Sequence, residues 1–265
     1  MYEFEYRRAA SVADAVAELK RTPDAKPLAG GMTLLPTLKM RLAQPSELVD
    51  LGAIAALKGI TVTDTHVTIG AMTRHADVAG SKDLRTALPA LCHLAGGIGD
   101  PQVRNRGTMG GSVANNDPAA DYPSACLALG ATIVTDRREI AADDYFLGLF
   151  QTALEEDEII TAIRFPRPLC AAYEKFKNPA SRYATVGVFV ARFAAGVRVA
   201  VTGAGSDGVF RARDIEQALA ANFAPEVLAS VVIPADGLAS DMHGSAEYRA
   251  HLIPVIAGRA VAACK

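Results

Sequence analysis

Two short glycine pairs constrain this chain more than any other feature. "AGGMT" runs from Ala29 to Thr33, and "TMGGS" runs from Thr108 to Ser112. Glycine tolerates positive φ and lets a ligand approach the backbone closely. Successive N–H groups in such a turn converge as a nest for phosphate oxygens. One Gly-Gly marks only a turn. Two alike, each with a hydroxyl at Thr33, Thr108 or Ser112, predict a site for two phosphates and hence a nucleotide cofactor. A side chain added at Gly31 or Gly110 is then expected to fill the space the phosphates need. The second pair lies in "GTMGGSVANNDPAAD", Gly107 to Asp121, whose Gly, Asn, Asp and Pro content reads as one long loop. Asp121 closes that run. A carboxylate there repels phosphate but accepts hydrogen bonds from sugar hydroxyls. It serves equally as N-cap of a helix in "YPSACLALGA", and the two roles are compatible.

A third cluster, "GAGSDG" (Gly203 to Gly208), matches G-x-G-x-x-G after an apolar run. The dinucleotide pattern requires its last glycine to open a helix. Here Val209-Phe210-Arg211 reads as a strand, and the next helix signal is Asp214 with Gln217 three residues on. A hairpin turn is the better reading. The histidines have no ligand spacing and no nucleophile elbow is present, so no metal site and no hydrolase-type catalytic residue is expected. Cys92, Cys126, Cys170 and Cys264 form no C-x-x-C pair. They read as thiols in a reducing compartment, with pairing in space left open. Glu155 to Glu158 reads as a solvated turn.

Half of the 265 residues are hydrophobic, enough for one large domain or two smaller ones. A net charge of −2 argues against a nucleic-acid surface. No apolar run approaches membrane-spanning length, and the N-terminal segment has acids and no apolar stretch of the secretory kind. A cytoplasmic protein is expected. Ser11 reads as the cap of a helix on Val12, Val16 and Leu19 that stops before Pro23. Strands are predicted in "KPLA", "ELVDL", "TIVTD" and "DEIITAIRFP", and a hairpin in "GITVTDTHVTIG". Thr73 reads as a helix cap, and "RTALPALCHLAG" as one helix closed by Gly96-Gly97. A linker is expected from Pro166 to Ala172. Beyond it come strands "ATVGVFVARF" and "GVRVAVTGAG" and helices "DIEQALAANF" and "EYRAHLIPVIAGRAVAA". Strands and helices alternate irregularly, which favours an α+β fold.

Taken together, "AGGMTLLPTLKMRL", "GTMGGSVANNDPAADYPSACLALGA", "DDYFLGLFQTALEEDEIITAIRFP" and "YEKFKNPASRYATVGVFVA" resemble the FAD-binding medium subunit of the molybdenum hydroxylases, closest to the carbon monoxide dehydrogenase branch. The likeness spans essentially the whole chain in order. It implies a non-Rossmann FAD-binding domain over residues 1–168, built of two αβ subdomains meeting near residue 55. A smaller α+β domain over 169–265 closes over the flavin. By the resemblance, Ala29, Gly30, Gly31, Met32 and Thr33, with Thr108, Met109, Gly110, Gly111 and Ser112, bind the pyrophosphate. Asp121 holds the sugar-alcohol chain, Ile98 and Gly99 touch the flavin, and Ile160 lies near a ring system. Lys177 falls on the family's lysine, with Lys175 an equal match. Tyr183 falls near the isoalloxazine, where the xanthine dehydrogenase branch has arginine, which weighs against NAD as acceptor.

The resemblance further implies an electron-transferring subunit rather than a complete catalyst. Electrons from a molybdenum-cofactor large subunit would pass through an iron–sulfur small subunit to FAD here. A stand-alone flavin oxidoreductase and a nucleotide-binding module without redox function are the rival readings. Flavin colour separates the last from the others, and activity of the isolated chain separates the second. Carbon monoxide, an aldehyde, a purine and an aromatic thioester all stay open as substrates, because that pocket would lie in another chain.

Overall fold

The computed structural model describes residues 1–264. Its first unit is β1 (Glu5–Arg8), α1 (Val12–Arg21), β2 (Lys26–Leu28), α2 (Leu34–Lys39) and β3 (Glu47–Asp50). The three strands form a parallel sheet in the order β1-β3-β2. Ser11 caps α1 as expected, its hydroxyl accepting from the Asp14 N–H. Ala15 and Leu19 then face the core.

The second unit starts with the hairpin β4 (Ile60–Val62) and β5 (His66–Gly70). Five helices follow: α3 (His75–Gly80), α4 (Lys82–Ala87), α5 (Pro89–Gly96), α6 (Pro101–Arg104) and α7 (Met109–Asn115). Next come α8 (Tyr122–Leu129), β6 (Thr132–Thr135), β7 (Glu139–Ala141), α9 (Ala142–Tyr145), the small hairpin β8 (Phe146–Gly148) and β9 (Gln151–Thr152), and β10 (Ile160–Pro166). The main sheet here is antiparallel, ordered β4-β5-β10-β6-β7.

The third unit is an antiparallel sheet of β11 (Cys170–Lys177), β12 (Ala184–Phe193), β13 (Gly196–Thr202) and β14 (Phe210–Arg211), followed by α10 (Arg213–Ala221) and α11 (Ala246–Ala263). Its two faces are covered differently. Tyr173, Phe189, Ala191 and Ala200 join the core of the second unit. Val186, Val188, Val190, Val199 and Val201 pack under α10 and α11. Burial on both faces explains the near-continuous apolar run of β12. Helix α8 is buried all round, with Arg198 donating to the Leu127 carbonyl near its C-terminus at 2.7 Å. A cation at that end complements the helix dipole. The fold is α+β, and "GAGSDG" is indeed the β13–β14 turn.

Several local expectations are corrected. The run Gly107–Asp121 is not one loop: Thr108 caps α7, and only Asn116 to Asp121 lies between helices. "RTALPALCHLAG" breaks at Leu88, because a residue before proline is pushed out of the helical region. Thr73 caps nothing; its hydroxyl donates to the Gly59 carbonyl. Asp214 and Gln217 form no capping box, since α10 starts from Ala212 without a side-chain cap. The stretch from Pro166 to Ala172 already enters a strand at Cys170. Glu158 is not solvated: it is buried and paired with Arg138 at 2.7 Å, which holds its carboxyl down at about 2.

Candidate functional site

Ala29 to Thr33 links β2 to α2. The backbone N–H groups of Gly30, Gly31, Met32 and Thr33 find no acceptor among the described residues. Gly31 sits at φ +72°, a conformation that turns successive amides to one side. Gly30 and Gly31 are half-buried and Met32 and Thr33 exposed, so the four amides are open to water or to a ligand's oxygens.

The second glycine pair does a different job. The Met109 N–H donates to the Thr73 carbonyl at 3.0 Å, and the Gly110 N–H to the Ala71 carbonyl at 2.8 Å. The Gly111 N–H is taken by the Thr108 hydroxyl at 3.2 Å. These amides are therefore spent on anchoring and capping α7. A Cβ on Gly110 would stand 2.5 Å from the Ala71 Cβ, so this glycine brings the helix against the end of β5. That corrects the expectation that a side chain at Gly110 would invade ligand space. A Cβ on Gly111 would reach the Ala29 Cβ at 3.2 Å, and one on Gly30 would strike the Arg106–Gly107 backbone. The two glycine segments are thus one packed structure, with the free amides on the first.

Asp121 stands at the start of α8 but makes no capping bond with its side chain. The loop before it is tied to β13 by the Thr202 hydroxyl, which donates to the Ala120 carbonyl at 2.6 Å. The carboxylate accepts from the Tyr173 hydroxyl and lies 2.9 Å from Lys175 Nζ. Burial pushes its pKa up, while Lys175 and Tyr173 pull the other way. Lys175 also donates to the Gly97 carbonyl at 3.1 Å. Of the two lysines the sequence left open, it is Lys175 that reaches Asp121. Lys177 is exposed, and neither lysine lines the cleft itself.

A cleft of about 520 Å³ collects most of the expected residues. Cofactor pockets commonly fall between roughly 300 and 1,000 Å³. Ala29, Gly30, Gly31, Met32, Thr33, Thr108, Gly110, Gly111 and Ser112 line it, as do Ile98, Asp121, Ile160 and Tyr183. Gly99, Met109 and Lys177 do not. Met109 is fully buried in the core, and the Gly99 carbonyl is occupied by Arg104 at 3.0 Å. Both support the wall rather than forming it.

His75, Phe150 and Lys26 are among the lining residues that the sequence reading did not single out for the site. His75 is buried, its Nδ1 has no partner, and its pKa is lowered to about 4 by burial and by Arg104. It is a neutral imidazole at the cleft wall. Phe150, at φ +53°, sits at the tip of the β8–β9 hairpin. Asn116, itself left-handed, holds that hairpin by donating to the carbonyls of Gly148 and Gln151 at 2.8 Å each. Lys26 adds a cation near the first loop. No periodicity or motif marks these positions.

Among the described residues no cluster of His, Cys, Asp and Glu could hold a metal ion. A non-Rossmann cleft with an amide cradle, flanked by a buried carboxylate–lysine pair, defines a binding subunit for a nucleotide cofactor. Residues 2–168 match the family described as the FAD binding domain in molybdopterin dehydrogenase, and the chain belongs to that family. It is an FAD-binding, medium-type subunit of the molybdenum hydroxylases. It is 37% identical to the carbon monoxide dehydrogenase medium chain of Hydrogenophaga pseudoflava, over 97% of this chain and 96% of that one. It is 38% identical to the nicotine 6-hydroxylase medium subunit of Paenarthrobacter nicotinovorans, covering 97% and 95%. In three dimensions it is similar to a chain of reconstituted CO dehydrogenase from Oligotropha carboxidovorans, with a TM-score of 0.89, 37% identity, and 98% and 97% covered.

Proposed function

We propose that this chain holds FAD in the cleft, takes electrons from an iron–sulfur partner served by a molybdenum-cofactor subunit, and passes them to an external acceptor. The row of free amides from Gly30 to Thr33 carries this reading. FAD, when bound, supplies the redox chemistry. The protein's part is to bind, orient and shield. The amides of the first loop, with the hydroxyls of Thr33, Thr108 and Ser112, would cradle the pyrophosphate. Asp121, fixed by Tyr173 and Lys175, keeps lone pairs for sugar hydroxyls, since an ionised carboxylate accepts at about four positions. Ile98, Ile160 and Tyr183 would wall the ring systems.

In this reading residues 1–168 are the flavin domain, with halves meeting near residue 55, and 169–265 close over it through Tyr173, Lys175 and Tyr183. The substrate belongs to the partner. Relatives of nearly equal identity are named for carbon monoxide and for nicotine, so overall likeness does not select one. No helix among the described residues is long and apolar enough to cross a membrane. A cytoplasmic location is part of the proposal. The test is gentle affinity purification of the tagged chain from its host, with analysis of flavin, iron and molybdenum. Recovery with two partners carrying iron and molybdenum supports the reading. Recovery alone, with full substrate turnover, refutes it.

A further inference from the structure

Cys170 opens β11, and Cys264 caps the C-terminal end of α11. They are 94 positions apart, yet their sulfurs lie 2.6 Å from each other. Both are half-buried, within reach of a small reagent. The other two cysteines, Cys92 and Cys126, are buried in the core. Arg192 stands directly across the ladder from Cys170 and is held over the Phe223 ring at 5.0 Å. Burial and the neighbouring Cys170 push the Cys264 thiol up, and Arg192 works against them. What singles this pair out is geometry rather than a lowered thiol pKa: two half-buried sulfurs from distant parts of the chain are held within reach of each other.

We propose that Cys170 and Cys264 are a dithiol oxidation site, converted by a small-molecule disulfide into an intrachain disulfide. The Cys170 sulfur, as thiolate, attacks the oxidant, forming a mixed disulfide and releasing one thiolate. The Cys264 sulfur, on losing its proton, attacks the Cys170 sulfur and releases the second. Two protein thiols are oxidised, and one disulfide oxidant is reduced to two thiols. The new bond joins the first residue of the third sheet to the end of the helix that covers it. It closes nearly the whole C-terminal unit into one covalent loop. Cys170 lies on β11, the strand that carries Tyr173 and Lys175 to Asp121. The clasp therefore fixes the strand behind the cleft.

The test uses the full chain, prepared reduced and then exposed to oxidised glutathione. Digestion without reductant, followed by mass analysis, is expected to yield one cross-linked peptide pair joining Cys170 and Cys264. Cys92 and Cys126 are expected to stay free, and dithiothreitol to reverse the change. Because a loop this long restricts the unfolded chain strongly, the oxidised form is expected to melt roughly 5–10 °C higher. Cys170→Ser and Cys264→Ser should each lose the shift. A stable glutathione adduct on either cysteine, or two unreacted thiols after exposure, overturns the proposal.

Discussion

The backbone of Gly30 lies directly against that of Gly107, so closely that a Cβ on Gly30 would run into the Arg106 carbonyl and the Gly107 Cα. This contact joins the two glycine-rich segments into one site and sets the position of the free amides. Gly30→Ala is expected to push the first loop away and cut flavin affinity by at least about tenfold, the equivalent of roughly 1.4 kcal/mol. Flavin titration, with circular dichroism to confirm folding, checks this.

Gly110 predicts the opposite balance. Its substitution meets Ala71 in the core, so Gly110→Ala should cost roughly 1–3 kcal/mol of stability as an overpacking defect. Adding Ala71→Gly should recover part of that loss, because the two positions are in contact. Thermal melts of the single and double variants decide the matter. Unchanged stability in Gly110→Ala would mean that the helix does not pack as described.

Asp121 and Lys175 form a buried pair at 2.9 Å, with side chains 5% and 7% exposed. Removing one partner strands the other. Lys175→Met should destabilise by roughly 3–5 kcal/mol and lower flavin content. Lys177→Met, at an exposed strand end, should stay within about 0.5 kcal/mol. Equal effects from the two substitutions would contradict the assignment of Lys175.

His75 gives a pH dependence. Its pKa falls from 6.5 when unfolded to about 4 in the fold. Between those values the unfolded chain binds the extra proton, so stability declines as the pH drops. The contribution is complete above pH 6.5, is lost progressively down to about pH 4, and changes no further below that. Its size is on the order of 3 kcal/mol. Denaturant melts at pH 7 and pH 4.5 should differ more in the wild type than in His75→Asn.

Much of the cleft was legible in the sequence because glycine pairs, hydroxyls and Asp121 are local signals. The division of labour between the pairs was not. Whether an amide is free depends on Ala71 and Thr73, which approach α7 from a distant part of the chain. The helix in Gly107–Asp121 was hidden because Gly and Asn propensities outweigh a Thr cap until tertiary packing is counted. Strand β1 carries four exposed polar or aromatic side chains, so no alternation announced it. Phe150 and Asn116 depend on strained left-handed backbone, which a sequence pattern does not encode.

In the proposed complex the amides of Gly30 to Thr33 receive the cofactor's phosphate oxygens. Amide hydrogen exchange, read residue by residue on the flavin-free and the FAD-loaded chain, tests it most directly. Fast exchange is expected at these four amides without FAD, since they have no acceptor among the described residues, and strong slowing with FAD. The amides of Met109 and Gly110, already bonded, should be slow in both states. Protection by FAD elsewhere, with Gly30 to Thr33 exchanging as fast as before, would contradict it.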